Sequence, residues 1–165
     1  MLETPSFVHN YSATQNNPKA SIIDSYDLLG IRLSISKPTE AQLQKDKGKA
    51  YEQTAKQADT LFDQICTKTN CDIISIDLSR RLPFFVTKTP VKLALQRGAQ
   101  FELDYGSGML EGMAKDCRKC FIANALAITK HSKGKGVILA ANVNRKVFMR
   151  APLDLVHMGQ LLGIS

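Results

Sequence analysis

Apolar residues along this chain alternate between short continuous runs and longer stretches in which they recur at helical spacing. The runs predict strands, and the spaced stretches predict helices. Strands are predicted at Tyr26–Ser34, Asp72–Ile76, Gln100–Leu103 and Gly136–Ala140, and helices at Lys49–Lys68, Pro90–Gly98, Leu110–His131 and Pro152–Gly163. Apolar strands that alternate with helices are typical of a parallel sheet covered by helices, so the predicted fold class is α/β.

One predicted helix carries clear signals at both of its ends. Thr89 and Pro90 are a hydroxyl cap followed by proline at the first helical position, and Gly98 is a typical helix stop. The segment Ser79–Gly106 therefore predicts a basic loop, a helix and a strand in a short run.

The N-terminal segment differs in composition from the rest. Residues 1–20 are rich in Ser, Thr, Asn, Gln and Pro, and are expected to form a disordered tail. Residues 21–165 then form one α/β domain, which is long enough to bury a core. The chain shows neither a signal peptide nor an apolar run that could span a bilayer, so we expect an intracellular protein without a membrane partner.

The net charge of +7 is unevenly distributed along the chain. Residues 1–79 hold eight Lys/Arg and ten Asp/Glu, a charge of −2, and residues 80–165 hold fourteen and five, a charge of +9. A basic half suggests a polyanionic partner such as RNA or DNA, although many basic domains are merely soluble.

Two pairs of cations directly follow predicted strands. In a parallel sheet the loops after the strands share one edge, where clustered cations can neutralise phosphates. Phe84 and Phe85 in the first loop could stack on bases, but the favoured interpretation is that they anchor the loop in the core. The pairs are Arg80 with Arg81, and Arg145 with Lys146.

The cysteines and histidines give weaker signals. Cys117 and Cys120 have CxxC spacing, but both fall on the apolar stripe of a predicted helix, which favours buried structural thiols. A zinc site would need Cys66 and Cys71 as further ligands, and their spacing is not that of a zinc knuckle. The histidines form no catalytic set.

Two glycine-rich stretches, at 106–108 and 133–136, lack the pattern of a nucleotide-binding loop. Both are interpreted as flexible loops. Lys133 and Lys135 in the second stretch could still contact backbone phosphates.

A different functional class stays open at this point. In α/β barrels the active site lies at the carboxyl ends of the strands, which here selects Asp77, Asp104, Tyr105, Asn142 and Asn144. Two carboxylates, those of Asp77 and Asp104, are a sparse ligand set for a metal-dependent hydrolase.

The amino-acid motifs of two segments add a family resemblance. The first has Leu82-Pro83-Phe84, Pro90, Arg97-Gly98 and Phe101-Glu102-Leu103-x-Tyr105. The second has Lys133-Gly-Lys135-x-Val137-Ile138, Arg150-Ala-Pro152-x-Asp154-Leu155 and Gly159-x-Leu161-Leu162-Gly163-x-Ser165. In this order they resemble the thirty-kilodalton protein subunit of ribonuclease P and ribonuclease MRP, over residues 70–165 and more weakly over 26–69.

The resemblance implies a fold and a role. The fold would be a partial TIM-barrel-like, PHP-like domain, because a closed barrel needs about eight strands and four are predicted. The role would be that of a non-catalytic subunit, without metal or other cofactor, supporting an RNA that cleaves precursor tRNA on its 5′ side or, in the related particle, precursor ribosomal RNA. Its partners would be that RNA and other protein subunits, in the nucleus and nucleolus.

The resemblance also implies RNA-facing positions. It points to Arg80, Arg81, Lys88, Arg97 and Arg150, with an alternative in which Arg97 pairs with Glu102 or Arg150 with Asp154. A scaffold that binds only proteins, and a metal-dependent hydrolase, remain the alternatives. The complete set of predicted RNA contacts is Arg80, Arg81, Lys88, Arg97, Lys133, Lys135, Arg145, Lys146 and Arg150.

Overall fold

A computed structural model describes residues 9–10, 28–33, 47–109, 115–143 and 145–165. The strands are β1 (His9–Asn10), β2 (Gly30–Leu33), β3 (Ile73–Ile76), β4 (Gln100–Asp104) and β5 (Val137–Ala140). The helices are α1 (Lys47–Thr67), α2 (Lys88–Gln96), α3 (Gly106–Met109), α4 (Lys115–Ser132) and α5 (Pro152–Leu161), with a 3-10 turn at Lys146–Phe148. The alternation of strands and helices confirms the α/β class.

The sheet is parallel throughout, and its strands lie in sequence order from β1 to β5. Crossovers of one hand that always advance in the same direction place the helices that connect β2, β3, β4 and β5 on the same face of the sheet. Accordingly, α2 contacts both α1 and α4. This single-sided winding belongs to an α/β barrel, and among the described residues the sheet does not close, so the prediction of a partial barrel is confirmed.

The two faces of the sheet differ in polarity. Residues that pair across adjacent strands share a face, and Arg32, Ser75 and Glu102 form one polar row. The neighbouring apolar rows belong to a core that also contains Phe62 of α1 and Phe121 of α4. The apolar residues that pair across adjacent strands are Ile31 with Ile74, Ile74 with Phe101, Phe101 with Val137, Leu33 with Ile76, and Leu103 with Leu139.

One strand lies inside the predicted tail. The sequence predicts disorder through residue 20, but His9 and Asn10 pair in parallel with Ile31 and Arg32 of β2. The rest of that tail lies outside the described residues, and the domain boundary at residue 21 stays a prediction. No helix within the described ranges has the length and hydropathy needed to cross a bilayer.

Helix α2 begins earlier than predicted. Its N-cap is Thr87 rather than Thr89, and Pro90 is the third helical residue rather than the first. Proline is tolerated there because the first-turn N–H groups have no acceptor within the helix. Gly98, with φ 89°, directly follows the C-cap residue Arg97, so the predicted helix stop is confirmed.

The stretch at 106–108 is a short helix rather than a flexible loop. Gly106 and Gly108 are both buried in α3. A side chain at Gly106 would collide with the carbonyl of Ala141, and one at Gly108 with the ring of Phe121. These glycines therefore allow close packing between α3, α4 and the segment that follows β5.

Candidate nucleic-acid interface

The predicted RNA contacts divide between two edges of the sheet. In this topology each strand-to-helix connection lies at the carboxyl edge and each helix-to-strand connection at the amino edge. Strands of this length separate the edges by about 15 Å. The carboxyl edge holds Arg80, Arg81, Lys88, Arg145, Lys146 and Arg150, here called the carboxyl-edge cluster, and the amino edge holds Arg97, Lys133 and Lys135.

Two side chains hold the loop after β3 in place. The Asp77 carboxylate accepts hydrogen bonds from the backbone N–H and the hydroxyl of Ser79, at 3.1 and 2.6 Å. The side-chain amide of Asn124, on α4, donates to the carbonyl of Arg80 at 2.7 Å, and to the carbonyl two positions earlier at 3.0 Å. Arg80 and Arg81 are exposed. The backbone of this loop is therefore fixed while its cationic side chains remain accessible.

The two phenylalanines of the same loop have opposite environments. Phe84 is buried and stacks on Phe62 of α1, with 5.1 Å between the ring centroids and 28° between the ring planes. Phe85 is 87% exposed. The prediction that both rings anchor the loop in the core is confirmed for Phe84 and wrong for Phe85.

The loop after β5 is tied to the end of β4. Asn142 adopts a left-handed backbone, with φ 42°, and its side-chain amide donates to the Asp104 carboxylate at 2.7 Å. The Tyr105 hydroxyl accepts a hydrogen bond from the backbone N–H of Arg150 at 3.3 Å. Asn144 lies outside the described residues. These two ties hold both ends of a loop whose three cationic side chains are all exposed.

Asp104 is the hub of a polar network at the carboxyl edge. Its side chain is 1% exposed and forms an ion pair with Arg32 of β2, at 3.1 Å. The same oxygen, Oδ2, accepts the Asn142 amide, and Oδ1 accepts the backbone N–H of Ser107 at 3.2 Å. One carboxylate thus joins two strands, α3 and the basic loop after β5.

This network bears on the metal-dependent hydrolase. Both oxygens of Asp104 already accept donors, one of them a guanidinium, and Oδ1 of Asp77 accepts two donors from Ser79. A hard metal ion would have to displace those donors to reach these carboxylates. In the portion of the chain that is described, no three His, Cys, Asp or Glu side chains converge as metal ligands.

Arg97 is exposed, but its guanidinium is bound to backbone carbonyls. Its guanidinium donates to the backbone carbonyls of Ile65 and Cys66, at 3.1 and 2.7 Å, and to that of Thr69. Ile65 and Cys66 lie in the last turn of α1 and Thr69 follows it, at the end where a cation offsets the helix dipole. Arg97 therefore caps a helix instead of pairing with Glu102, and both terminal nitrogens of its guanidinium donate to these carbonyls.

The cysteines are split between the core and the half-buried side of α4. Cys66 and Cys71 are buried, whereas Cys117 and Cys120 are half-buried rather than buried as predicted. Burial raises the pKa of the Cys66 thiol to about 12, and burial likewise raises the pKa of Cys71. At neutral pH both core thiols are protonated and therefore poor nucleophiles.

The lysines of the amino edge lie on a tethered turn. Lys133 has φ 56°, and Gly134 next to it is buried, with its carbonyl accepting the backbone N–H of Ser165 at 3.1 Å. A side chain at Gly134 would collide with the carbonyl of Gly163. The interpretation of this stretch as a flexible loop is therefore wrong, while Lys133 and Lys135 themselves are exposed.

Two residues that organise the site are absent from the predicted set. Asn124 is a polar residue on the apolar stripe of α4, and Arg32 is a lone charge inside an apolar strand. Each breaks the local hydrophobic pattern, which is a signal for a buried polar contact. Neither pattern reveals the partner, which lies 44 residues from Asn124 and 72 from Arg32.

Comparison with known proteins gives several relatives that are named as protein subunits of ribonuclease P. Ribonuclease P protein subunit p30 of Mus musculus is 36% identical over 105 residues, which are 64% of this chain and 38% of the mouse protein. The probable ribonuclease P protein subunit 3 of Schizosaccharomyces pombe is 31% identical over 100 residues, 61% of this chain and 41% of that protein. The Ribonuclease P/MRP protein subunit RPP1 of Saccharomyces cerevisiae is 22% identical over 98 residues, 59% and 32% of the two chains.

The matched segment thus spans about two fifths of the mouse and fission yeast proteins. A family model described as RNase P subunit p30 matches residues 11–165, nearly the whole of this chain. That match also covers β2 and α1, where the resemblance read from the sequence is weak. The chain belongs to the RNase P subunit p30 family.

Proposed function

We propose that this chain is a non-catalytic protein subunit of a ribonuclease P or MRP ribonucleoprotein, and that it binds the RNA of that particle. Its work would be to hold the RNA and neighbouring protein subunits while the RNA matures the 5′ end of precursor tRNA or processes precursor ribosomal RNA. We further propose a nuclear and nucleolar location. Family membership and the printed names of the relatives support the particle.

The observation that carries RNA binding is the carboxyl-edge cluster. Its six exposed cations lie on two backbone-fixed loops and at the start of α2. Phosphate oxygens are satisfied by long cationic side chains, and fixing the backbone beforehand lowers the entropy lost on binding. Arg97 is not part of this proposal, because its guanidinium already binds the end of α1.

A protein-only scaffold and a metal-dependent hydrolase are weaker candidates. A scaffold offers no reason for cations to collect on one edge while their backbones are held by Asn124 and Tyr105. The hydrolase would need Asp104, which the fold uses to pair Arg32.

The test is charge reversal at matched edges. Arg80→Glu combined with Arg81→Glu changes the carboxyl edge, and Lys133→Glu combined with Lys135→Glu makes the same charge change at the amino edge. Binding of the full chain to ribonuclease P RNA would be measured over a salt series. Each lost phosphate contact should lower the slope of log affinity against log salt by roughly 0.7–0.9.

We expect the carboxyl-edge pair to weaken binding and to lower that slope by roughly 1.4–1.8, and the amino-edge pair to do much less. Equal effects of the two pairs would show that net charge, and not the carboxyl-edge cluster, attracts the RNA. Unchanged affinity in both, with thermal unfolding unaltered, would refute RNA binding and favour the scaffold. Multiple turnover on precursor tRNA by the purified chain without RNA would refute the non-catalytic role.

A further inference from the structure

The exposed ring of Phe85 has a fixed direction. Phe84 and Val86 on either side of it are buried, at 7% and 8% exposure, while Phe85 itself is 87% exposed. Because both neighbours are packed in the core, the backbone that carries Phe85 is held on either side while its own ring lies in solvent. The ring is therefore presented to solvent by a backbone that the core holds, rather than by a loop free to withdraw it.

Exposed cations flank this ring along the chain. Arg80 and Arg81 precede it in the same loop, Lys88 follows it as the first residue of α2, and all three are exposed. Phe85 also borders an open recess of about 330 Å³, whose lining includes Lys56, Asp59 and Pro83. A single exposed apolar residue is ordinary on a protein surface. A held aromatic ring among cations on the predicted RNA edge is a more specific arrangement.

The start of α2 adds a second indication of an anionic ligand. Its first turn contains no acidic residue, and the N-cap residue Thr87 makes no side-chain capping hydrogen bond. Lys88 instead places a positive charge at the positive end of the helix dipole, which is unfavourable for the isolated helix. A phosphate group bound there would offset both the lysine charge and the dipole.

We propose that Phe85 is a stacking platform for an unpaired base of single-stranded RNA, with the adjoining phosphates held by Arg80, Arg81 and Lys88. This rests on the proposed RNA-binding function and deepens it. A single strand is favoured because a duplex keeps its bases stacked inside, whereas an unpaired base can lie flat on an aromatic ring. A protein partner is less favoured, because an aromatic anchor for a protein is normally ringed by other contacts that exclude water. Here the exposed neighbours include the cations Arg80, Arg81 and Lys88, and the only other exposed side chains of the segment from 80 to 89 are Pro83, Thr87 and Thr89, which are not large apolar groups.

The test separates base stacking from charge. Phe85→Ala and Phe85→Leu would be measured in the full chain against oligoadenosine, against an abasic oligonucleotide of equal length and charge, and against an RNA duplex. Leu161→Ala is the matched control, because Leu161 is also highly exposed, at 83%, but ends α5 at the amino edge. Thermal unfolding would establish that each variant is folded.

We expect both Phe85 variants to lose affinity for oligoadenosine by roughly 5- to 150-fold, the range measured for one base–aromatic stack. Affinity for the abasic oligonucleotide and the salt slope should stay as in the parent chain, because the phosphate contacts remain. Leu161→Ala should change none of these quantities.

A direct signal comes from Phe85→Trp, because the chain contains no other tryptophan. Its fluorescence should be quenched by oligoadenosine and not by the abasic oligonucleotide, with affinity retained. Full binding by Phe85→Leu, or equal losses on the base-containing and abasic probes, would overturn the stacking proposal. If Phe85→Ala binds RNA normally while the Arg80/Arg81 reversal does not, the stacking proposal is refuted and the RNA-binding proposal stands. If neither variant changes RNA affinity, both proposals are refuted.

Discussion

Replacing Asp104 with asparagine is the sharpest test of the polar network at the carboxyl edge. The carboxylate accepts three donors, from Arg32, Asn142 and Ser107, and is almost fully buried. An asparagine side chain has one acceptor oxygen and turns the other position into a donor. Whichever way the amide is oriented, its NH2 group points at one or more of the three N–H donors and cannot accept a hydrogen bond from them.

The size of the effect follows from these contacts. The less costly orientation keeps the oxygen on Arg32 and Asn142 and leaves the backbone N–H of Ser107 without an acceptor, at a cost of about 1–3 kcal/mol. Removing one partner of a buried ion pair costs about 3–5 kcal/mol, and less here because the Arg32 side chain retains 21% exposure. We therefore expect Asp104→Asn to lower the free energy of unfolding by about 3–5 kcal/mol and the Tm by about 10 °C.

The assay is urea and thermal unfolding of the full chain in the presence of a chelator. Asp77→Asn is the matched control: its single engaged oxygen can still accept the two donors of Ser79, so it should cost less than about 0.5 kcal/mol. A loss below about 1 kcal/mol for Asp104→Asn would refute the hub. A gain in stability would instead suit a metal-ligand carboxylate, since removing it relieves repulsion in the metal-free chain.

Two further predictions concern contacts at the carboxyl-terminal end of α1. Arg97→Met keeps the aliphatic stem but removes three hydrogen bonds to the end of α1, so it should lower the free energy of unfolding by about 2 kcal/mol in urea titrations while leaving the salt slope of RNA binding unchanged; a lowered slope with normal stability would contradict the capping role. Burial raises the pKa of Cys66 from 9.0 to about 12, so the unfolded chain loses that proton first, and the contribution of Cys66 to stability is complete below pH 9 and is lost as the pH rises from 9 towards 12. Cys66→Val should therefore flatten the alkaline fall of the unfolding free energy that urea titrations measure above pH 9, and an unchanged fall would contradict the burial effect.

Strands β2 to β5 and the long helices were predictable because each carries its own hydrophobic pattern, whereas β1 lies in a polar segment that predicts disorder. Ile73–Ile76 and Val137–Ala140 are mostly apolar runs, as expected of strands in a parallel sheet that is covered by helices. The start of α2 was less predictable, because Thr87 and Thr89 are both good caps and tertiary packing decides between them. Helix α3 was missed because its glycines read as loop, and only the neighbouring Phe121 and Ala141 show why they are needed.

The position of the basic loops was predictable from one rule, since connections after parallel strands meet at one edge. The roles of individual residues were not. Phe84 and Phe85 are adjacent and identical in type, and only contact with Phe62 separates the anchor from the exposed ring. Arg97 resembles the other arginines until the carbonyls of α1 are placed around it, because those carbonyls come from residues about thirty positions earlier.

Most residues of the family motifs with a described contact stabilise the fold. Arg97 caps α1, the Tyr105 hydroxyl binds the backbone of Arg150, and the carbonyl of Gly134 binds the end of the chain. By contrast, Arg80, Arg81, Arg145 and Lys146 of the carboxyl-edge cluster lie outside the quoted motifs. A motif residue that binds backbone is constrained by the geometry of the fold, whereas an exposed cation is constrained only by its ligand. The family motifs therefore identify the fold of the domain. The proposed RNA contacts should therefore be sought in the loops between these motifs, and not in the motif residues that bind backbone.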